Sequence, residues 1–365
     1  MFVKLAWRGP GLGGTRFLSK QIVAAGLAAG YEVMAAARGV HGKTSSGAAF
    51  VRWDRAESIP PKRTSTKPTP TKPTPTEPVP AELLAFRPDA VVDVSGNPAF
   101  VAAAVDLWPQ ARWVFISTLN VYVDLSQAGA NVANTTLVEP RDDGDPHIDP
   151  TAYGAMKLAC ENLVRARTPC PLILRPGLIV GPGDPTGRFT YWPSHAAQAA
   201  SDGLGLLAPG VPNDPVQYID VGDLANWVVR GLANRVAGCF DAVGPSETRA
   251  EFLAGLAEGL AAPVDPVFVA STWLARHGVN QWMGPFSIPL WVFDPDSAGL
   301  MTRDVTASLE AGLVIRPLAD TVRDTLAWAR ATPDSAATGL TRAEELALLK
   351  AGAQPPGRTL DWPHD

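Results

Sequence analysis

Apolar and polar residues alternate with two different periods at the start of the chain. An apolar run at residues 2–7 predicts a strand. Apolar residues three and four apart predict a helix over residues 17–29, and Gly30 is typical of the end of a helix. A second strand is predicted at residues 31–37 and a third at residues 51–54. This order of strand, helix and strand is typical of a parallel sheet.

The same alternation resumes further along the chain. Helices are predicted at residues 81–86, 98–107, from Tyr153 to about 167, 321–330 and 342–351, and strands at residues 90–94, 112–117 and 171–174. Strands that alternate with helices predict an α/β fold, namely a Rossmann-type, doubly wound parallel sheet with a smaller, mixed C-terminal domain.

Residues 58–80 break this pattern because they are dense in proline. They include two copies of Lys-Pro-Thr-Pro-Thr, at residues 67–71 and 72–76. Proline lacks the N–H that helices and sheet ladders need, so the segment is expected to be extended. Because the strand series continues after it, we interpret it as a surface insert inside the first domain and not as a linker between domains.

The turn after the first strand is rich in glycine and allows two registers. Residues 9–14 fit G-x-G-x-x-G by letter. Residues 13–19 fit G-x-x-G-x-x-G only at Gly13, because Arg16 and Ser19 occupy the other two positions. Glycine is needed in such a turn because a Cβ would block a phosphate at the helix N-terminus. We favour the second register, since the following helix then has its expected length.

The end of the second strand carries information about a dinucleotide. In dinucleotide-binding units, an acidic residue there bonds the ribose 2′-OH of NAD, and a basic residue accommodates the 2′-phosphate of NADP. Here Arg38 follows the strand, and Arg16 lies in the neighbouring glycine turn. Two arginines without a carboxylate favour NADP over NAD.

The pentapeptide from Tyr153 to Lys157 is the main candidate for chemistry. Side chains four residues apart lie on the same face of a helix. An ammonium near a phenol favours the phenolate, so Lys157 is expected to lower the pKa of Tyr153. A phenol of lowered pKa exchanges a proton with a carbonyl or hydroxyl oxygen near neutral pH. The alternative is an ordinary tyrosine and lysine on a helix surface.

Composition and charge narrow the class of protein. The 365 residues are 46% hydrophobic and 18% charged, which predicts a globular protein of more than one domain. A net charge of -5 argues against a nucleic-acid partner, and no apolar run is long enough for a membrane span. The early glycine turn and three scattered cysteines predict a cytoplasmic protein without a metal site.

Several segments occur in an order that is typical of one family. They lie at residues 13–18, 91–96, 114–122, 153–157, 174–184 and 217–221. With them the chain resembles the extended short-chain dehydrogenase/reductase family, in particular its NAD(P)-dependent epimerase/dehydratase-like branch. The resemblance covers about residues 13–330. It implies an enzyme with a Rossmann fold and a nicotinamide dinucleotide cofactor.

The resemblance also implies roles for individual residues. Thr118, with Ser117 adjacent, matches the family's catalytic Ser or Thr. Tyr153 matches its general acid/base, and Lys157 matches the lysine that also holds the nicotinamide ribose. The cofactor-binding candidates are Gly13, Gly14, Thr15, Arg16, Phe17, Leu18, Arg38, Asp54, Val94, Ser95 and Gly96, together with Tyr153 and Lys157. Arg16 and Ser19 depart from the family's glycine pattern, and Arg16 could contact phosphate instead.

The family's organisation implies domain limits. A dinucleotide-binding domain is expected at residues 1–180, and the chain returns to it at about 214–240. The substrate domain then comprises residues 181–213 and 241–330, and residues 331–365 form a C-terminal extension.

Three functions are compatible with these features. The preferred one is an NADP(H)-dependent oxidoreductase of the carbonyl reductase or alcohol dehydrogenase type, acting on a small-molecule substrate. The second is a nucleotide-sugar epimerase or dehydratase that retains its cofactor. The third is a non-catalytic NADP sensor that binds a protein partner. The sequence leaves the substrate and the direction of reaction open, and it allows a homodimer.

Overall fold

The computed structural model describes residues 4–8, 17–39, 45–55, 79–332 and 338–352. The chain forms two compact units, each assembled from separate segments. Unit 1 comprises the residues up to 179 together with 218–245 and 303–315. Unit 2 comprises residues 180–217, 246–302 and those from 316 onward.

Unit 1 is built on a seven-stranded parallel sheet. Its strands are β1 (Lys4–Arg8), β2 (Glu32–Ala37), β3 (Ala49–Arg52), β4 (Ala90–Asp93), β5 (Arg112–Ile116), β6 (Leu172–Pro176) and β11 (Gly238–Ala242). They pair in the order β11-β6-β5-β4-β1-β2-β3. The order runs outward from β1 in both directions, which is the doubly wound arrangement. The predicted fold class is confirmed.

Helices pack on both faces of this sheet. They are α1 (Phe17–Ala28), α2 (Ala81–Phe86), α3 (Pro98–Leu107), α4 (Thr151–Arg167) and α6 (Val221–Ala233). Successive strand residues point to opposite faces. Val92 and Val114 therefore pack in one core with α1 and α6. Val91 and Phe115 pack in a second core with α2, α3 and α4.

Unit 2 is a mixture of short strand pairs and helices. Strands β8 (Leu206–Pro209) and β13 (Pro266–Val269) pair in parallel, β9 (Pro215–Val216) and β12 (Glu247–Thr248) pair antiparallel, and β14 (Asn280–Trp282) pairs with β15 (Ser287–Pro289). Its helices are α5 (Tyr191–Asp202), α7 (Arg249–Leu260), α8 (Ser271–Arg276), α10 (Leu318–Ala331) and α11 (Arg342–Gly352). The short elements β7 (Ile179–Val180), β10 (Ile219–Asp220) and α9 (Thr306–Glu310) complete the strands and α-helices of the described chain.

The unit boundaries differ from the predicted domain limits. Residues 241–245 and 303–315, assigned from the sequence to the substrate domain, belong to unit 1. Arg303 Nε donates to Asp241 Oδ2 at 2.9 Å, and Ser308 Oγ donates to the main-chain oxygen of Asp241 at 2.7 Å. Such long-range pairing has no local sequence signal. Helix α11 belongs to unit 2 and is not a separate extension.

The proline-rich insert cannot be compared with its predicted conformation. Residues 58–78 of it lie outside the described residues, and Val79 and Pro80 are the part of the insert that the structure describes. No helix of the described segments is long and apolar enough to cross a membrane.

Candidate active site

The polar candidates follow β4 and β5. After β4 the chain passes through Val94, Ser95 and Gly96 before α3 begins. After β5 it passes through Thr118 into the 3-10 helix Leu119–Val121. Strands β4 and β5 pair in parallel, so both loops lie at one edge of the sheet. Ligands bind at this edge in open α/β sheets.

Thr118 is held within its own turn. Its Oγ1 donates to Asn120 Oδ1 at 2.9 Å and accepts from the main-chain N of Asn120 at 3.2 Å. Thr118 is thereby the N-cap of the short 3-10 helix. Because it is also buried, its hydroxyl has a fixed place. Asn120 did not stand out in the sequence.

Helix α4 lies directly against this turn. A Cβ added to Gly154 would fall 1.9 Å from the main-chain oxygen of Asn120. Only glycine allows so close an approach. The approach brings the neighbouring Tyr153 to Thr118, and the two side chains share a hydrogen bond.

The surroundings of Tyr153 raise its pKa. Burial of the phenolic group is the main cause, and the hydrogen bond with Thr118 offsets part of it. The residue as a whole is 38% exposed, so part of the ring faces outward while the hydroxyl end is enclosed. The expectation that Lys157 lowers the pKa of Tyr153 is therefore wrong for this structure, because burial dominates.

Lys157 joins α4 to the ends of both strands. Its Nζ donates to the main-chain oxygen of Val94 at 2.9 Å and to that of Ile116 at 2.7 Å. The same nitrogen lies 5.0 Å from the centre of the Phe115 ring. Burial lowers the pKa of Lys157 to about 8.

Gly96 brings the loop after β4 to the same place. A Cβ there would lie 3.8 Å from Lys157 Cε and 3.9 Å from Tyr153 Cε2. The structure thus brings together Gly96, Thr118, Tyr153 and Lys157, which come from three separate sequence motifs.

A buried ion pair supports the loop after β4. Arg55 donates through Nη1 to Asp93 Oδ2 at 2.6 Å and through Nη2 to Asp93 Oδ1 at 3.2 Å. Asp93 Oδ1 also accepts from the main-chain N of Ser95 at 2.9 Å. Neither residue was predicted. The available signal was an aspartate in the otherwise apolar strand Ala90–Asp93.

The other cofactor candidates are described in part. Gly13, Gly14, Thr15 and Arg16 lie outside the described residues, so neither glycine register can be examined.

Phe17 and Leu18 begin α1, and Leu18 is buried in the core. Arg38 and Asp54 follow the paired strands β2 and β3, so both lie at the carboxyl end of the sheet. Arg38 Nε is buried and makes no hydrogen bond within the described chain.

Among the comparisons with known proteins, only the comparison of structures found similar proteins. No protein-family model matches the sequence. No curated protein matches it either.

Solved structures match nearly the whole chain at low identity. The Bordetella bronchiseptica enzyme WbmH, in complex with NAD+, is 16% identical with a TM-score of 0.56, over 90% of this chain and 99% of that chain. UDP-N-acetylglucosamine 4-epimerase from Methanobrevibacter ruminantium M1, in complex with UDP-N-acetylmuramic acid, is 14% identical with a TM-score of 0.57, over 91% and 100%. UDP-glucuronic acid 4-epimerase from Bacillus cereus, in complex with NAD, is 13% identical with a TM-score of 0.54, over 92% and 99%.

At these identities the likeness is one of fold. The chain has the Rossmann-type fold of these proteins. The fold that the resemblance implied is thereby confirmed.

Proposed function

We propose that this protein is a nicotinamide-dinucleotide-dependent enzyme of the short-chain dehydrogenase/reductase type. It interconverts a hydroxyl and a carbonyl group of a small-molecule substrate. The observation that carries the proposal is the convergence of Thr118, Tyr153 and Lys157 at the carboxyl ends of β4 and β5. In a parallel α/β sheet this edge is where a ligand is expected.

The described residues fit such a cofactor. Gly96 has no side chain beside Lys157 and Tyr153, which leaves room next to them on the side of the loop after β4. Arg38 Nε lacks a hydrogen-bond partner in the described chain and follows β2. A basic residue after the second strand accommodates the 2′-phosphate in dinucleotide-binding units, which favours NADP. Asp54 follows the neighbouring strand, on the adenine side. The cofactor supplies or accepts the hydride.

The chain's own residues manage the proton. Tyr153 gives a proton to the substrate oxygen during reduction and takes it back during oxidation. Thr118 turns its hydroxyl proton from Asn120 Oδ1 to the same oxygen and stabilises the developing charge there. Lys157 would hold the ribose, and its two bonds to main-chain oxygens fix it at the ends of β4 and β5.

Between the two catalytic alternatives, the epimerase or dehydratase that retains its cofactor has the stronger support. Solved structures similar to this chain include two 4-epimerases that are named for UDP-sugars. The carbonyl reductase is the second candidate, and Arg38 at the end of β2 favours it through NADP(H). Both reactions use the same three side chains, so the geometry of the site does not distinguish them.

Cofactor binding and turnover test the proposal together. We expect NADPH or NADH to bind, and UDP-sugars or a panel of aldehydes and ketones to be converted. Sugar conversion without a net change in nicotinamide absorbance identifies an epimerase, whereas net loss of NADPH identifies a reductase. Tyr153→Phe should lower kcat by about 100-fold or more, because the proton donor is lost. Its affinity for the cofactor should change by less than about twofold, since the ring remains.

Tyr31→Phe serves as a control because Tyr31 lies at the amino end of β2, away from the carboxyl ends of β4 and β5, and packs against the core of α1 and α6. Undiminished turnover in Tyr153→Phe would exclude this mechanism. Cofactor binding without turnover of any compound in the panel would favour the non-catalytic sensor instead.

A further inference from the structure

A chain of buried charged and polar side chains lies next to the turn that carries Thr118. We call it the Tyr122 network, and its members are Glu161, Arg175, Tyr122, Asp241 and Arg303. Each is at most 3% exposed. All five belong to unit 1. The proposed mechanism uses none of them.

Tyr122 is the centre of this network. Its hydroxyl donates to Asp241 Oδ1 at 2.6 Å and accepts from Arg175 Nη1 at 3.0 Å. The guanidinium of Arg175 lies 5.0 Å from the ring centre, and that of Arg303 lies 4.4 Å from it. Both the hydroxyl and the ring of Tyr122 are therefore fixed by charged partners.

Two buried salt bridges connect the partners of Tyr122 to other elements of unit 1. Arg175 donates to both carboxylate oxygens of Glu161, from Nε at 2.9 Å and from Nη2 at 2.7 Å. Asp241 Oδ2 accepts from Arg303 Nε at 2.9 Å and from Nη2 at 2.5 Å. Glu161 lies one helical turn after Lys157 on α4. The network thus joins α4, β6, β11 and the segment that begins at Arg303.

Tyr122 also belongs to the turn of Thr118. It follows the 3-10 helix Leu119–Val121 directly, and its main-chain N donates to Leu119 O at 3.1 Å. Thr118 is the N-cap of the same helix. Any displacement of Tyr122 moves this one-turn helix and its cap together.

We propose that Tyr122 is a positioning residue: through the Tyr122 network it holds the turn of Thr118 at a fixed place against helix α4, and so sets the hydrogen bond between Thr118 and Tyr153. This inference rests on the proposed function, in which that hydrogen bond belongs to the active site. The alternative is a network that only stabilises the fold. Such a network would affect unfolding but not the environment of Tyr153.

Tyr122→Phe separates the two, because it keeps the buried ring and removes only the hydroxyl. The protein is labelled with 3-fluorotyrosine, and each resonance is followed by fluorine NMR as the pH rises. The sequence has five tyrosines, and the resonance that is absent from Tyr153→Phe is that of Tyr153. Thr118→Val shows the effect of removing the hydrogen bond outright.

We expect the Tyr153 resonance to titrate at higher pH in Tyr122→Phe, by about half a pH unit or more and in the same direction as in Thr118→Val. The sign follows because the Thr118 side chain lowers the pKa of Tyr153: its hydroxyl turns from Asn120 Oδ1 to the phenolate, and loss of that bond raises the pKa. Lys157 and Cys160, the other titratable neighbours on α4, are present in every variant.

Tyr191→Phe is the matched control. The Tyr191 hydroxyl is also buried, belongs to unit 2 and has no hydrogen-bond partner within the described chain. Its removal should leave the Tyr153 titration unchanged. Arg303→Lys is a second variant, in case Tyr122→Phe unfolds. It keeps a positive charge beside Asp241 but loses the contact through two nitrogens, so the Tyr153 titration should shift by less than in Tyr122→Phe.

Two results would overturn the inference for different reasons. If Thr118→Val shifts the titration of Tyr153 and Tyr122→Phe does not, the network has only a stabilising role. If Thr118→Val has no effect either, the contact between Thr118 and Tyr153 is absent, and the proposed active site fails with it.

Discussion

Lys157 is a buried cation whose ammonium bonds to main-chain oxygens of two strand ends. Burial lowers the pKa of Lys157 from 10.5 to about 8. The folded protein therefore holds this proton less tightly than the unfolded chain does. The charge is costly to bury, yet it ties α4 to the loops after β4 and β5.

Lys157 should make stability rise with pH in a defined window. Between pH 8 and 10.5 the unfolded chain keeps a proton that the folded protein has released. Because the unfolded state then binds more protons, raising the pH stabilises the fold, by up to about 3 kcal/mol. Lys157→Met lacks this gain. Urea unfolding of both proteins at several pH values should show the wild-type-minus-variant difference in unfolding free energy increasing across the window. A difference that stays constant would show that the pKa of Lys157 is not lowered.

At the scale of single residues, the sequence predicted which side chains lie together better than it predicted the direction of their pKa changes. Thr118, Tyr153 and Lys157 stand in short motifs, so their spacing and order were visible. The direction of the pKa change of Tyr153 depends on what packs around it, which no motif states. The pair of Arg55 and Asp93 was missed because the partners are 38 residues apart.

The position of helix α4 depends on a close contact at Gly154 that leaves no room for a side chain. Gly154 lies against the main chain of Asn120, in the turn that carries Thr118. The position of Tyr153 is thus decided by the residue next to it.

Gly154→Ala should displace α4 from the turn. The new Cβ would lie 1.9 Å from a main-chain oxygen, so the helix or the turn must move. We expect a loss of about 2–4 kcal/mol in unfolding free energy, measured by urea denaturation, in spite of the higher helix propensity of alanine. Turnover should fall with it, because Tyr153 moves away from Thr118.

Gly26→Ala is the matched control in α1. Its Cβ would meet only the side-chain Cγ2 of Val33, at 3.2 Å. The change in unfolding free energy should stay within about 1 kcal/mol in either direction. Equal effects of the two substitutions would contradict the role assigned to Gly154.

Element boundaries show what periodicity can and cannot predict. Helix α3 was predicted with its correct limits, since Asn97 caps it and Pro98 begins it. Strand β6 runs two residues beyond its predicted end. It continues because Pro176 still pairs with Ala242 of β11, a partner distant in sequence.

At the scale of the molecule, a buried carboxylate helps to fix the C-terminal helix α11 within unit 2. Glu345 of α11 accepts from the main-chain N of Leu207 at 2.8 Å, and its other oxygen lies 2.6 Å from His195 Nδ1. The Glu345 side chain is fully buried. Helix α11 is therefore part of the core of unit 2.

Glu345→Gln should weaken unit 2 selectively. An amide cannot replace the charge beside His195, so unit 2 should lose about 3 kcal/mol of stability. Hydrogen exchange followed by mass spectrometry should show faster exchange in β8 and α5, with β4, β5 and β6 of unit 1 unchanged. Glu344→Gln is the control, because Glu344 is only half-buried and accepts hydrogen bonds from the main-chain N and the hydroxyl of Thr341. Uniform acceleration across both units would show that their stabilities are not separable.

Neither unit is a continuous stretch of chain, and this limits how the gene can be cut. A fragment that stops near residue 180 lacks β11, the neighbour of β6, and lacks Arg303, the partner of Asp241. One that stops near residue 300 still lacks Arg303, while it also omits α10 and α11. No single stop codon releases an intact half of this protein. Fragment expression and chimeras therefore need several junctions, and a premature stop anywhere before residue 303 damages both units at once.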